Sequence, residues 1–137
     1  MANRKKKVIK KIPNHFKTEG QIQNEIIRAL YDNGYRPKRM YLGPVIMKGG
    51  AQRKNPLKGF PDLFGWFLAG QGRMWVIEVK KDNKAAKTSE DQEKWIELLS
   101  GLGVFCLVAR SADFALEKIM ERDEFYRQWD LNHGENF

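Results

Sequence analysis

Gly59-Phe60-Pro61-Asp62-Leu63-Phe64-Gly65-Trp66-Phe67-Leu68-Ala69-Gly70-Gln71-Gly72-Arg73-Met74-Trp75-Val76-Ile77-Glu78-Val79-Lys80 is the stretch that decides the fold. Two apolar runs flank Gly70-Gln71-Gly72, so it reads as a β-hairpin. In an antiparallel pair the start of one strand lies beside the end of the other. Asp62 at the entrance is therefore carried to Glu78 and Lys80 at the exit. Strand side chains alternate between faces, so Trp75, Ile77 and Val79 share one face while Val76, Glu78 and Lys80 share the other. Two carboxylates and an ammonium group converge at one end of an apolar sheet, where isolated charge is costly unless paired or bound to metal. The spacing alone leaves two readings open. One is an ordinary ion pair at a strand end, Glu78–Lys80 or Asp62–Lys80. The other is a site for a hard dication, Mg²⁺ or Mn²⁺, which carboxylate oxygens suit.

The flanks supply the rest of an α/β domain. Upstream, Thr18 is an N-cap for a helix reaching Asn33, with Gly34 as its stop. Ile22, Ile26, Ile27 and Leu30 form its buried stripe; at about 100° per residue, Glu19 and Gln23 fall on or beside that stripe and Glu25 lies away from it. Glu19 also reads as a first-turn acid that favours the helix dipole. Tyr35 to Lys48 reads as a strand interrupted at Gly43-Pro44. Gly49 to Gly59 reads as a basic, glycine-rich loop carrying Arg53, Lys54 and Lys58, either a mobile surface loop or one that grips phosphates. It lacks the Gly-Lys-Ser/Thr ending of a nucleotide-triphosphate loop.

Downstream, Lys81 to Lys87 is a polar loop, and Ser89 caps a second helix in which Ser89-Glu90-Asp91-Gln92 fits a capping box. Trp95, Ile96, Leu98 and Leu99 give that helix its apolar face. Val104 to Ala109 is a buried strand containing Cys106, a small core residue. Ser111 caps a third helix whose apolar residues run from Phe114 to Met120, and Asp123 to Trp129 reads as a short final helix. The order is helix, three strands, helix, strand, helix around a mixed sheet.

The net charge of +8 and pI near 9.6 favour a polyanionic partner, nucleic acid before an anionic membrane surface. No apolar run approaches the roughly 18–20 residues of a membrane span, and the lysine-rich start leads into no secretory signal. One cysteine allows neither an internal disulfide nor a cysteine-based zinc site. A reducing, cytoplasmic setting is expected. The opening residues contain Arg4, Lys5, Lys6, Lys7, Lys10, Lys11 and Lys17 and no acid. They read as an arm that follows phosphates, or else as a solubilising tail, with Ile9, Ile12 and Phe16 available to dock it. His15 and His133 lack metal-ligand spacing and read as surface residues.

Pro61-Asp62 followed by Glu78-Val79-Lys80 resembles the PD-(D/E)XK nuclease signature. The wider pattern resembles one branch of that superfamily, the virus-type replication-repair nuclease (VRR-NUC) domain. It comprises Glu19-Gly20-Gln21-Ile22-Gln23, Gly59-Phe60-Pro61-Asp62-Leu63, Ile77-Glu78-Val79-Lys80, Gln92, and Gly103-Val104 leading to Val108-Ala109-Arg110-Ser111. The pattern spans roughly Thr18 to Met120. The resemblance implies a restriction-endonuclease-like core of order αβββαβα, with a nuclease domain over 18–130 between a basic arm, 1–17, and a polar tail, 131–137. It implies a Mg²⁺- or Mn²⁺-dependent DNA endonuclease whose products carry 5′-phosphate and 3′-hydroxyl ends. Asp62, Glu78 and the Val79 carbonyl would hold the metal, with Glu19 as the further ligand on which a second metal turns. Lys80 and Gln92 join the catalytic set and Gln23 supports it by hydrogen bonds. Arg53, Lys54 and Lys58, with Arg4, Lys5, Lys6 and Lys7, are the expected DNA contacts. Small stand-alone relatives resemble phage-type Holliday-junction resolvases acting in recombination and repair, so branched DNA and a homodimer are expected, without a small-molecule cofactor. The alternatives are a non-catalytic DNA-binding module and a sequence-specific, restriction-type nuclease; Tyr126 and Trp129 are the candidates for a subunit interface.

Overall fold

The computed structural model describes residues 12–83 and 86–134. The arm residues Arg4, Lys5, Lys6 and Lys7, and Ile9 with them, lie outside the described residues. A short 3₁₀ turn, Asn14–Phe16, leads into helix α1, Glu19–Asp32. Thr18 and Gln21 cap α1 reciprocally, Thr18 Oγ1 accepting from Gln21 N and Gln21 Oε1 accepting from Thr18 N. Six strands follow, β1 (Lys38–Arg39), β2 (Val45–Ile46), β3 (Gln52–Arg53), β4 (Leu63–Trp66), β5 (Met74–Val79) and β6 (Phe105–Ala109), with helix α2 (Glu90–Gly101) before β6 and helix α3 (Ala112–His133) after it.

The central sheet has four strands in the order β1-β4-β5-β6. β1 and β4, and β4 and β5, pair antiparallel, while β5 and β6 run parallel, so the sheet is mixed. Counting its strands alone, the chain runs helix, three strands, helix, strand, helix. β5 is the central element because it is apolar on both faces. Trp75, Ile77 and Val79 are buried against Ile22, Ile26 and Leu30 of α1 and Ala115 and Ile119 of α3. Val76, also fully buried, faces the opposite side. The sheet therefore sits between α1 and α3 on one face and α2 on the other. The hairpin turn needs Gly70 and Gly72, both at positive φ, and Gln71 is the single non-glycine residue there with positive φ. Gly65 is required for a different reason: a Cβ would sit 2.3 Å from the Trp75 ring that lies across it.

Three sequence expectations change. The segment expected as one interrupted strand is two: Lys38–Arg39 joins the central sheet, whereas Val45–Ile46 turns away and pairs antiparallel with Gln52–Arg53. The expected loop Gly49–Gly59 is thus half of a separate two-stranded ribbon, closed at Gly49 and Gly50, both at positive φ. The expected third and final helices are one continuous α3, which runs through Leu131 to His133. Ile12 and Phe16 remain exposed. Asn14 fastens this end instead, donating to Asp82 Oδ2 at 2.9 Å and to Arg110 O at 2.8 Å. No described helix is long and apolar enough to cross a membrane.

Candidate active site

The β4–β5 register sets Leu63 opposite Ile77; one step further sets Asp62 opposite Glu78. Asp62 is fixed from two sides. Its carbonyl accepts from Met40 N at 2.9 Å, and its Oδ2 accepts from Val79 N at 2.8 Å. Lys80 N donates to Ala109 O at 3.0 Å, which ties the exit of β5 to β6. On a strand the N–H and C=O of one residue point to the same side. The Val79 carbonyl therefore points, like its amide, toward Asp62.

Glu78 is only 2% exposed and Lys80 8% exposed, although both carry charge. Gln92, in the first turn of α2, joins them. Its Nε2 donates to Glu78 Oε1 at 2.7 Å, and its Oε1 accepts from Lys80 Nζ at 2.9 Å. The same Oε1 accepts from Ser89 N at 2.8 Å, and Gln92 N donates to Ser89 Oγ at 3.2 Å. Gln92 therefore caps α2 and touches the Lys80–Glu78 pair with the same side chain. The capping box orients the amide, and the amide then clamps the lysine against the glutamate. Lys80 Nζ stands 3.6 Å from Glu78 Oε1, within ion-pair distance.

That pair does not satisfy the site. Glu78 Oε2 is buried without a hydrogen-bond partner among the described residues. Burial, reinforced by the facing Asp62 carboxylate, raises the Glu78 pKa to about 8 despite Lys80. Burial raises Asp62 too; the Val79 amide and Glu78 oppose that push, and the negative charge of Glu19 adds to it. Two close carboxyl groups with one lysine hold more potential negative charge than their surroundings neutralise. A divalent cation would relieve this. The donor chemistry fits: two carboxyl groups, one orphaned oxygen and a carbonyl directed to the same place are hard ligands. Asp62, Glu78 and Val79 would hold it. Among the described residues no three His, Cys, Asp or Glu side chains are gathered into a metal cluster.

Glu19, the first residue of α1, is exposed but lies close enough for its charge to act on Asp62. Glu25 instead pairs with Lys17 at 2.8 Å. Gln23 lies one turn beyond Glu19, and among the described residues it makes none of the hydrogen bonds to the site expected of it. Arg53, Lys54 and Lys58 are exposed on the ribbon and its root. The root is anchored: Asn55 Nδ2 donates to Tyr41 O and Gly43 O, and Asn55 Oδ1 accepts from Leu57 N at 2.9 Å. Trp95 Nε1 donates to Lys58 O at 3.0 Å, and the Trp95 ring packs edge-on against Phe60. Gly59, at positive φ, lies so close to α2 that a Cβ would come within 2.7 Å of Asp91 Cβ. These contacts lock the approach to Asp62 onto the helix that carries Gln92. Sequence reasoning left Asn55 and Trp95 without these roles. Asn55-Pro56 was the available signal, since asparagine before proline favours turn initiation.

Residues 46–113 match the family model of the VRR-NUC domain, a nuclease domain. The matched span contains Asp62, Glu78, Lys80 and Gln92 and leaves Glu19 outside it. No curated protein and no solved structure matches the chain.

Proposed function

We propose that the protein is a divalent-metal-dependent, structure-specific DNA endonuclease that cuts branched DNA, four-way junctions first, as a homodimer. The observation that carries this reading is the buried Glu78, with its orphaned oxygen, facing the half-buried Asp62 and held against Lys80 by Gln92, inside a VRR-NUC domain. When bound, a cation such as Mg²⁺ or Mn²⁺ supplies a more acidic water and neutralises charge on the phosphate in flight. The chain's own residues do the rest. Asp62, Glu78 and the Val79 carbonyl would hold the cation, with Glu19 at the margin for a second. Lys80 places a positive charge where the phosphate gains negative charge, and it needs no reorganisation because Gln92 already holds it. Burial of Glu78 and Lys80 keeps water from weakening these interactions.

The net charge of +8 supports a nucleic-acid substrate. A two-fold dimer would present one site to each of two strands, as symmetric junction cutting requires. The test is a panel of labelled four-way junction, flap, single-stranded and plain duplex DNA with Mg²⁺ or Mn²⁺, run beside Asp62→Ala. Paired nicks in the junction that vanish in the variant are expected. Discrete bands on plain duplex would point to a restriction-type enzyme, and tight binding without cutting on every substrate would refute a nuclease.

A further inference from the structure

The β2–β3 ribbon has no evident structural reason to be apolar. Both strands are exposed at every residue and they pair with each other, not with the central sheet. Yet Ile46 is 70% exposed, beside the half-exposed Val45 and Met47. Around these side chains the charge has one sign. From Tyr41 to Phe60 the chain contains Lys48, Arg53, Lys54 and Lys58 and no acid. An exposed apolar strand just behind the Lys48-Gly49-Gly50 turn, flanked by cations on a ribbon whose root is anchored, has the composition of a wedge that enters a base stack while its flanks grip phosphates.

The register sharpens this. Ile46 pairs with Gln52, so those two side chains share one face of the ribbon, and Val45 and Arg53 share the other. Beyond Arg53 the chain enters the wall of a cleft of about 390 Å³ between the ribbon root and α2, lined by the cations Lys54, Lys58 and Lys94, by Trp95, and by a single acid, Asp91. The cleft is not lined by Asp62 or Glu78; along the chain, Gly59 and Phe60 connect its Lys58 to Pro61-Asp62.

We infer that the ribbon is a DNA branch-point wedge, with Ile46 inserted against the terminal base pair of a duplex arm and Lys54, Lys58 and Lys94 tracking the phosphates that lead to the site. This rests on the nuclease reading above and adds to it the element that selects branched over continuous DNA. A branch offers an unstacked end at little energetic cost, whereas opening a continuous duplex costs a few kcal/mol per step.

The test compares wild type with Ile46→Ala and Ile46→Gln, in Ca²⁺ to hold cleavage off and in Mg²⁺ to allow it. The probe is a four-way junction with 2-aminopurine at the branch-flanking position. Wild type is expected to raise the 2-aminopurine signal on binding. Both variants are expected to lose that rise and to lower the junction-over-duplex cleavage ratio about tenfold, while affinity for plain duplex stays within about threefold. Lys94→Gln is expected to weaken binding to all DNAs alike and to flatten its salt dependence. If wild type cuts junctions and the Ile46 variants keep both the signal and the ratio, the wedge is wrong and the nuclease reading stands. If wild type neither binds nor cuts DNA, both fall. If Ile46→Gln turns a dimer into a monomer in sedimentation, the ribbon is a subunit interface and the wedge is overturned.

Discussion

Glu78 and Asp123 are carboxyl groups buried to nearly the same depth, 2% and 1% exposed, and they do opposite things. Asp123, on α3, is saturated. Its Oδ2 accepts from the Tyr35 hydroxyl at 2.6 Å and from Leu68 N at 3.1 Å, its Oδ1 accepts from Ala69 N at 2.7 Å, and Arg127 stands 4.0 Å away. It ties the end of α1, the hairpin turn and α3 into one unit. Burial, with the hydrogen bond to Asp123 adding to it, raises Tyr35 well above an ordinary phenol. Glu78 keeps one oxygen orphaned, faces a second carboxyl group and has a raised pKa. A buried acid with both oxygens answered is a fastener; one left short and facing its own kind marks a place where something else binds.

Substitutions can break this contrast, beginning with the largest effect. Lys80→Met should lower cleavage by about 10³-fold, the loss expected when one aimed charge is removed from a transition state. Binding to junction DNA should survive, and single-turnover rates beside equilibrium titration separate the two. At the fastener, Asp123→Ala should lower unfolding stability by about 3 kcal/mol, because Tyr35 and two amides lose a charged acceptor. Denaturant titration reads that loss, while the folded fraction should cut at the wild-type rate. A variant that abolished cutting in fully folded protein would dissolve the distinction.

Gly59→Val should affect both properties. It strains a positive φ and drives a side chain into Asp91, displacing the helix turn that holds Gln92. A loss of about 2 kcal/mol is expected, with cleavage falling further than stability alone explains. The smallest effect is on pH dependence. The folded pKa of Glu78 lies above its ordinary value, so between about 4.5 and about 8 the folded state binds more protons than the unfolded chain. Stability without divalent cation therefore falls as pH rises through that window. The difference in melting temperature between wild type and Glu78→Gln, followed across the window in EDTA, should move by a few degrees in the variant's favour. A flat difference would mean that Glu78 is not held neutral.

What was legible in the sequence follows from which interactions are local. The Asp62–Glu78–Lys80 convergence was readable because a hairpin fixes its own register and strand alternation fixes the faces. Gln92 was readable as a cap, since a capping box is written within four residues. That its amide also spans Lys80 and Glu78 depends on where α2 docks. The ribbon was missed because two-residue strands carry no periodicity, and Gly43-Pro44 looked like an interruption rather than a departure from the sheet. Asp123 read as the start of a helix because its partners come from Tyr35, Leu68 and Ala69, far away in sequence. Tyr126 and Trp129 read alike and separate in the structure: Tyr126 packs edge-on against Phe67, whereas Trp129 is half-exposed and stacks on His133.

The most direct measurement is single-turnover cleavage and equilibrium binding of one labelled four-way junction by wild type and Asp62→Asn, with Mg²⁺ and with Mn²⁺. The amide keeps the shape of the side chain and an oxygen to accept from Val79 N, so the fold and the DNA-binding surface should be unchanged. The expected result is affinity within about threefold of wild type and cleavage reduced at least about 10³-fold, since several kcal/mol of charge stabilisation are lost. Cleavage by Asp62→Asn at the wild-type rate would contradict the account and place the chemistry somewhere other than the carboxyl pair at the end of the hairpin.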